Sequence, residues 1–502
     1  MDAKKRVVVN TLAQNIRSVL NVCLSLYSTR IVLSLLGDDY GLYTLVVGIV
    51  ALLGFVTNAM VISTQRYLSF LFGKNETENA RKVFSNSLML QISIAFLVVL
   101  FFYLLEPIIL SSLNIPEGRE DVVPTLFHIM LASLFFTFLI APYRALFIAR
   151  ENIVYISIID VLDGVLKLAL VFMLYSITFD LLLAYAFIML GVILFSYLSF
   201  MAYSLWRYPE SCLIPRRKDL DFSVLKGMSN FTGWTLYGTA CIVGRAQGMQ
   251  VVLNQFFAIS VNKAYGLALQ VSGAIQFVAT SVMNAMNPQI IKAEGRGDRQ
   301  GMLALSILAS KIAYLLLAFI VIPLVFEMPQ VLQFWLVQVP EHVVTFSRFL
   351  LLTSLVDQLS VGLGTANQAI GHIRNYSILT FTIKLSTIVL AWVLFQYGFS
   401  IKIAMLGYLG IEALTMLIRI PYLKYTAGLS VSDFIRKVFL RVLLPTGAMV
   451  FVCWQSLRMP AFPFRFLVTG ILSLCVSLPV IWYCGMEQKE RQTVLAMLHI
   501  NK

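Results

Sequence analysis

Polar residues in the first apolar stretch of the chain recur at helical spacing. Asn10, Gln14, Arg17, Asn21, Ser25 and Ser28 follow one another at steps of four, three, four, four and three. On an α-helix those steps gather all six on one narrow face. The opposite face carries Ile16, Val19, Leu20, Cys23, Leu24, Leu26 and Tyr27, and Leu35-Leu36-Gly37-Asp38-Asp39 is a natural helix stop. The pattern therefore predicts a long helix with a polar stripe and an arginine on it. In hydrocarbon an arginine costs at least about 3 kcal/mol, so the stripe is expected to face a water-filled cavity inside a bundle. Arg30 lies opposite the stripe near the other end, where it is expected to snorkel.

Apolar stretches of bilayer-spanning length recur along the rest of the chain. Hydropathy places about fourteen of them, at 11–36, 41–67, 83–105, 122–143, 153–175, 181–205, 231–255, 264–287, 302–325, 344–366, 376–396, 402–422, 438–457 and 465–484. Barrel strands would instead alternate over about ten residues. The expected fold is an all-α polytopic membrane protein.

Several of these helices carry their own stripes. Gly273, Gln276, Thr280, Asn284 and Asn287 share a face of the 264–287 helix, which runs on to Pro288. Ser377, Thr380, Lys384 and Thr387 share one at 376–396, and Thr353, Asp357, Ser360 and Gly364 one at 344–366. Asp160, Asp163 and Lys167 share a face at 153–175, with Asp163 and Lys167 one turn apart and able to neutralise each other. Arg245 lies within 231–255, whose second polar face is Gln247, Gln250 and Asn254, and Glu412 is in the middle of 402–422. Stripes of amides can also be glue between helices.

Composition agrees with the pattern. Of 502 residues 59% are hydrophobic and 13% charged, against about 25% charged in soluble domains; the mean hydropathy is +0.83. The net charge of +13 is expected to be topological. With both termini inside, inner segments hold about 24 Lys/Arg and outer ones about 5. The bases are spread over short loops rather than gathered in one patch, which argues against a nucleic-acid partner. Cys23, Cys212, Cys241, Cys453, Cys475 and Cys484 form no CxxC, and the four histidines lack ligand spacing, so no metal or cofactor is expected. Lys4-Lys5-Arg6 runs into a long helix without a small-residue cleavage site, so no cleavable signal is expected.

An internal repeat divides the chain. Asp39-Tyr40-Gly41-Leu42 is echoed by Ala264-Tyr265-Gly266-Leu267, Asn58-Ala59-Met60 by Asn284-Ala285-Met286, and Met189-Leu190-Gly191 by Met405-Leu406-Gly407. The offset of about 216 to 226 residues implies two six-helix halves in parallel orientation. The expected organisation is an N-lobe at 1–208, a basic loop at 209–230, a C-lobe at 231–426, and two further helices with a tail at 427–502.

A cavity lined by Arg17, Arg245 and Lys384, with Lys167 as a further candidate, suits an anionic ligand rich in hydroxyls. Arginine presents a planar fork to phosphate oxygens, and Gln14, Asn21, Gln276 and Asn284 suit sugar hydroxyls. Asp357, Asp160 and Asp163 are candidates for coupling to H+ or Na+, since a carboxylate in hydrocarbon favours its neutral form or a bound ion.

The run NTLAQNIRSVLNVCLSLYSTRIVLSLLGDDYGLYTLVVGIVALLGF from Asn10, followed by Ser63-Thr64-Gln65-Arg66-Tyr67-Leu68-Ser69-Phe70, resembles the opening of bacterial Wzx-type polysaccharide flippases. These belong to the multidrug/oligosaccharidyl-lipid/polysaccharide exporter superfamily, which also holds the MATE exporters and lipid II flippases. The resemblance implies a V-shaped pair of lobes with alternating access and cytoplasmic termini in the bacterial inner membrane. It implies an undecaprenyl-pyrophosphate-linked oligosaccharide as substrate, within O-antigen, capsule or exopolysaccharide synthesis, with other assembly proteins as partners. Cationic lumen residues of such relatives correspond to Arg17 and Arg245. The first helix lacks the acid that many MATE exporters carry there.

Two other transporter readings remain, a cation-coupled multidrug antiporter and a lipid II-type flippase. A polysaccharide polymerase or ligase would need a sizeable outer loop for its catalytic groups, and the outer loops are short, so an enzyme is not expected.

Overall fold

The computed structural model describes residues 3–36, 39, 43, 54–111, 118–257, 259–336, 339–371, 373–458, 460, 462, 464–488 and 490–491. They form α1 (Ala3–Leu36), α2 (Gly54–Gly73), α3 (Thr77–Ser111), α4 (Val122–Ala149), α5 (Ile153–Met173), α6 (Leu181–Arg207), α7 (Phe222–Phe256), α8 (Ile259–Gly295) and α9 (Arg299–Trp335). Then come α10 (Val343–Gln358), α11 (Val361–Ile370), α12 (Ile373–Gln396) and α13 (Ile401–Ala427). The last two, α14 (Val431–Ser456) and α15 (Arg465–Gly485), each include a π-helical turn. No strand occurs among the described residues. The protein is an all-α, multi-pass membrane protein.

Among the described residues eight helices are long and apolar enough to cross a bilayer. The number is ten if two bent pairs, Ala264–Gln276 with Val278–Gly295 and Val343–Gln358 with Val361–Ile370, each count as one span. The expected segments 11–36, 153–175 and 231–255 fall within or largely on α1, α5 and α7, and the second half of 41–67 falls on α2, its first half lying almost wholly outside the described residues; α5 carries Asp160, Asp163 and Lys167 within 21 residues. The Arg30 side chain and residues 40–42 of the repeat lie outside the described residues.

The chain divides into two compact units, Val9–Leu236 and Met1–Val8 with Tyr237–Lys502. The boundary falls inside α7.

In the N-terminal unit α4 is a central helix, packed against α2, α3 and α6. Its buried Tyr143 and Phe147 meet Phe84, Tyr155 and Phe200. Polar side chains fix the helix ends. Asn152 accepts from Tyr155 N at the start of α5, and Asp180 accepts from Leu182 N and Leu183 N at the start of α6, each satisfying orphan donors. Arg119, before α4, clasps both Asp180 and Asp39. Burial alone would lower its pKa, but these two carboxylates outweigh burial and hold it above its ordinary value.

In the C-terminal unit α9 is the deepest element. It packs against α8, α10 and α11 and also against α14 and α15. Glu327 on α9 receives Arg465 Nε and Nη2 at 2.9 Å each and Thr469 Oγ1 at 3.0 Å, which docks α15. Pro329 has no N–H for the carbonyl of Val325, four residues earlier. Arg348 Nε takes that carbonyl at 2.7 Å. At the join of α10 and α11 the backbone bends by 47°. Gly362 N donates to Ser310 Oγ at 3.0 Å there, and a Cβ on Gly362 would meet the Ser306 carbonyl at 2.1 Å. Only glycine lets α11 approach α9 this closely.

Candidate functional site

Each unit encloses an intramembrane cluster of charges, and most of the charged positions singled out in the sequence belong to one or the other. In the C-terminal unit the cluster is an alternating chain across four helices. Arg245 on α7 lies over the Tyr408 ring at 4.2 Å and donates through Nη1 to Glu412 Oε2 at 2.8 Å. Lys384 Nζ on α12 reaches Glu412 Oε1 at 2.6 Å and Asp357 Oδ1 at 2.9 Å. Arg419 Nη1 on α13 reaches the same Asp357 oxygen at 2.9 Å and donates to Ser360 Oγ at 3.1 Å. Three cations thus share two carboxylates.

Local sequence explains how these groups meet. Ser377, Thr380, Lys384 and Thr387 recur on one face of α12, and all four are buried. Asp357 occupies the last turn of α10, where the exposed carbonyl ends of a helix repel a carboxylate. Lys384 and Arg419 supply the compensating charge. Glu412 is only 2% exposed, Lys384 and Arg419 7% each and Asp357 23%. An ionised group so enclosed is tolerated only with partners.

In the N-terminal unit the cluster is smaller and more open. Arg144 on α4 grips Asp160 on α5 with both ends of its guanidinium, Nη1 to Oδ1 at 3.0 Å and Nη2 to Oδ2 at 2.9 Å. Arg17 Nη1 on α1 takes Asp160 Oδ2 at 2.5 Å. Two arginines therefore share one carboxylate, and Arg17 and Arg144 stay 18% and 33% exposed. One turn along α5, Asp163 accepts from Ser196 of α6 while its other oxygen, Oδ1, is buried without a hydrogen bond.

Several expectations need correction. Arg17 and Lys384 each hold a carboxylate from another helix. Two cations, Lys384 and Arg419, share Asp357. Asp160 likewise serves two arginines, Arg17 and Arg144. Asp163 turns to Ser196, and no bond joins it to Lys167 among the described residues. The α1 stripe mostly faces inward. Asn10 donates to the Glu151 carbonyl at 2.9 Å, and Gln14 Oε1 and Asn21 Oδ1 are buried without hydrogen bonds. A Cβ on Gly164 of α5 would lie 3.1 Å from Asn21 Oδ1, so α1 and α5 meet closely there. Ser25 departs from the stripe and is exposed.

The stripe on α8 behaves differently. Gln276 and Thr280 are exposed and Asn284 is half-buried, while Asn287 accepts from Thr365 at 2.7 Å. On α7 the Arg245 face turns into its own unit, and Gln247 and Asn254 are exposed. Two members of the clusters were not read from the sequence. Arg419 continues the spacing of Tyr408, Glu412 and Thr415 along α13, a signal that was available. Arg144 lies just past the expected end of the 122–143 segment, and α4 continues to Ala149.

No protein-family model matches the chain, and no curated protein matches it. Solved structures do. A MATE transporter in complex with MaL6 superposes with a TM-score of 0.74 at 14% identity, over 85% of this chain and 97% of that one. A MOP superfamily transporter from Pyrococcus furiosus, described by the reverse polarity of its binding pocket, gives 0.74 at 13% identity over 86% and 97%. The MATE transporter ClbM in complex with Rb+ gives 0.69 at 15% identity over 86% and 96%. At such identities the likeness shows the fold, which is that of MATE and MOP transporters.

Proposed function

We propose that this protein is a flippase that moves an undecaprenyl-pyrophosphate-linked oligosaccharide across the bacterial inner membrane by alternating access. The observation that carries this reading is the excess of cations over the carboxylates they are paired with in both charge clusters. A cationic surplus inside a membrane protein invites an anion to complete it. Arg17 is the candidate anchor for the pyrophosphate, because its cluster is the more exposed and a guanidinium can share its donors between Asp160 and phosphate oxygens. The exposed amides and hydroxyls of α8, with Gln276 foremost and Asn284 beside it, suit the sugars. Arg245 and Lys384 contribute field rather than direct contact, being enclosed with their own carboxylates. Asp163, with one oxygen unbonded, is the candidate for ion coupling.

The second reading, a cation-coupled multidrug antiporter, is favoured by the fold of the MATE neighbours. A lumen for organic cations would be expected to be dominated by carboxylates, and these clusters are not. Reconstitution decides between the two. Vesicles carrying a fluorescent polyprenyl-pyrophosphate oligosaccharide should show protein-dependent movement of the sugar to the leaflet reached by a membrane-impermeant lectin. Efflux of cationic dyes without lipid movement would overturn the flippase reading.

A further inference from the structure

Between α6 and α7 the chain sorts its charges by sign. The acids are turned inward or used locally. Glu210 accepts from Arg150 Nε at 2.6 Å, Asp219 from Arg81 Nε at 3.3 Å, and Asp221 from the N and Oγ of Ser223, both at 2.8 Å. Further ties hold the inner edge of the segment. Tyr143 Oη donates to the Cys212 carbonyl at 3.1 Å, and Asn86 Nδ2 to the Asp219 carbonyl at 3.1 Å. The outer edge is basic throughout. Arg207, Arg216, Arg217, Lys218 and Lys226 are all exposed, and none is ion-paired among the described residues.

Large apolar side chains stand among these bases. Trp206 is 80% exposed, Ile214 73% and Phe222 78%. In a loop surrounded by water, three such side chains would be a costly surface. Beside a bilayer they are not. The segment runs on directly from α6, which is long and apolar enough to cross a bilayer, so the headgroup layer adjoins it by covalent continuity, and tryptophan favours that layer. The charge asymmetry of the loops assigns this side of the chain to the inner leaflet, whose anionic lipids attract basic residues.

We propose that residues 206–226 form an interfacial mooring, which sinks Trp206, Ile214 and Phe222 into the inner leaflet and engages anionic phospholipid headgroups through Arg216, Arg217 and Lys218. The inward hydrogen bonds then act as a keel, transmitting the membrane's hold to α3, α4 and the N-terminal unit they belong to. This arrangement is independent of what the protein transports.

Limited proteolysis of the unaltered protein tests it. Trypsin cuts after Arg216, Arg217 and Lys218 when the segment is free. The protein is reconstituted in vesicles of phosphatidylcholine alone and in an equimolar mixture with phosphatidylglycerol, and rates are compared over the accessible fraction. Cleavage should be at least about tenfold slower in the anionic vesicles, and the protection should fade in high salt. The variant Ile214→Asp/Phe222→Asp should lose most of it. Equal rates in the two vesicles would overturn the proposal, whether both are fast or both protected, because headgroup charge would then play no part. Protection of detergent-solubilised protein by inorganic phosphate at matched ionic strength would also overturn it, by showing an anion pocket instead of a membrane surface.

Discussion

The two units carry charge on matching helices of the repeat and use it in opposite ways. The repeat matches α5 with α12 and α6 with α13, and at the offset of Met189-Leu190-Gly191 to Met405-Leu406-Gly407 Ser196 corresponds to Glu412. In the N-terminal unit a single carboxylate on α5 serves two arginines, and the α6 position is only a hydroxyl. In the C-terminal unit the matching helices carry a lysine and a glutamate, and the chain of pairs extends through Asp357 to Arg419. The first cluster is half-open; the second is closed on nearly every side. Matching helices thus support two different roles. A closed alternating chain fixes how four helices pack, because each charge is stranded if its neighbour moves. A short open cluster can exchange one of its partners for a ligand. Edits to the C-terminal cluster should therefore register in stability, and edits to the N-terminal cluster in transport.

The largest expected effect is at Glu412. Replacing it with leucine strands Arg245 and leaves Lys384 with only the shared Asp357, and should cost about 3–5 kcal/mol. The matching change in the other unit, Ser196→Ala, should cost about 1 kcal/mol. Thermal unfolding in detergent measures both, and equal losses would break the comparison.

Arg17→Ala is next. Asp160 keeps its bidentate grip from Arg144, so the protein should insert and fold. Transport should fall about tenfold to a hundredfold, the worth of a lost charge-assisted contact. Arg17→Lys should be intermediate, since it keeps charge but loses the fork. Wild-type lipid transport by a well-inserted Arg17→Ala protein would remove Arg17 as the anchor.

Two glycines sharpen the contrast at the level of packing. Gly362→Ala sets a Cβ against the Ser306 carbonyl, backbone that cannot step aside, and should cost about 1–3 kcal/mol. At Gly164 the neighbours are the Leu24 and Asn21 side chains at 3.0 and 3.1 Å. They can give way, and alanine's better helix propensity offsets the rest, so Gly164→Ala should stay within about 1 kcal/mol of wild type. Denaturation midpoints of the purified proteins compare them.

The smallest effect on stability is expected from Asp163→Asn, which keeps a group for Ser196 to bond. It should remove any dependence of transport on a proton or sodium gradient while leaving exchange without a gradient intact. Persistence of gradient dependence would assign the coupling elsewhere.

The sequence by itself determined the class of molecule, because a chain with this many long apolar segments can satisfy its backbone in a bilayer only as helices. It also determined which face of each helix is polar, since that depends on spacing within one segment. The stripes on α8, α10 and α12 and the placing of Arg17, Arg245 and Glu412 inside apolar helices were legible for that reason. What each charge holds was decided only by the tertiary structure. Arg17 meets a residue 143 positions away and Arg245 one 167 away, and such pairs depend on how far one helix is rotated and shifted against another. No periodicity within a single helix records that rotation. For the same reason the sequence left both polar faces of α7 open, and only packing against Tyr408 and Glu412 turned the Arg245 face inward.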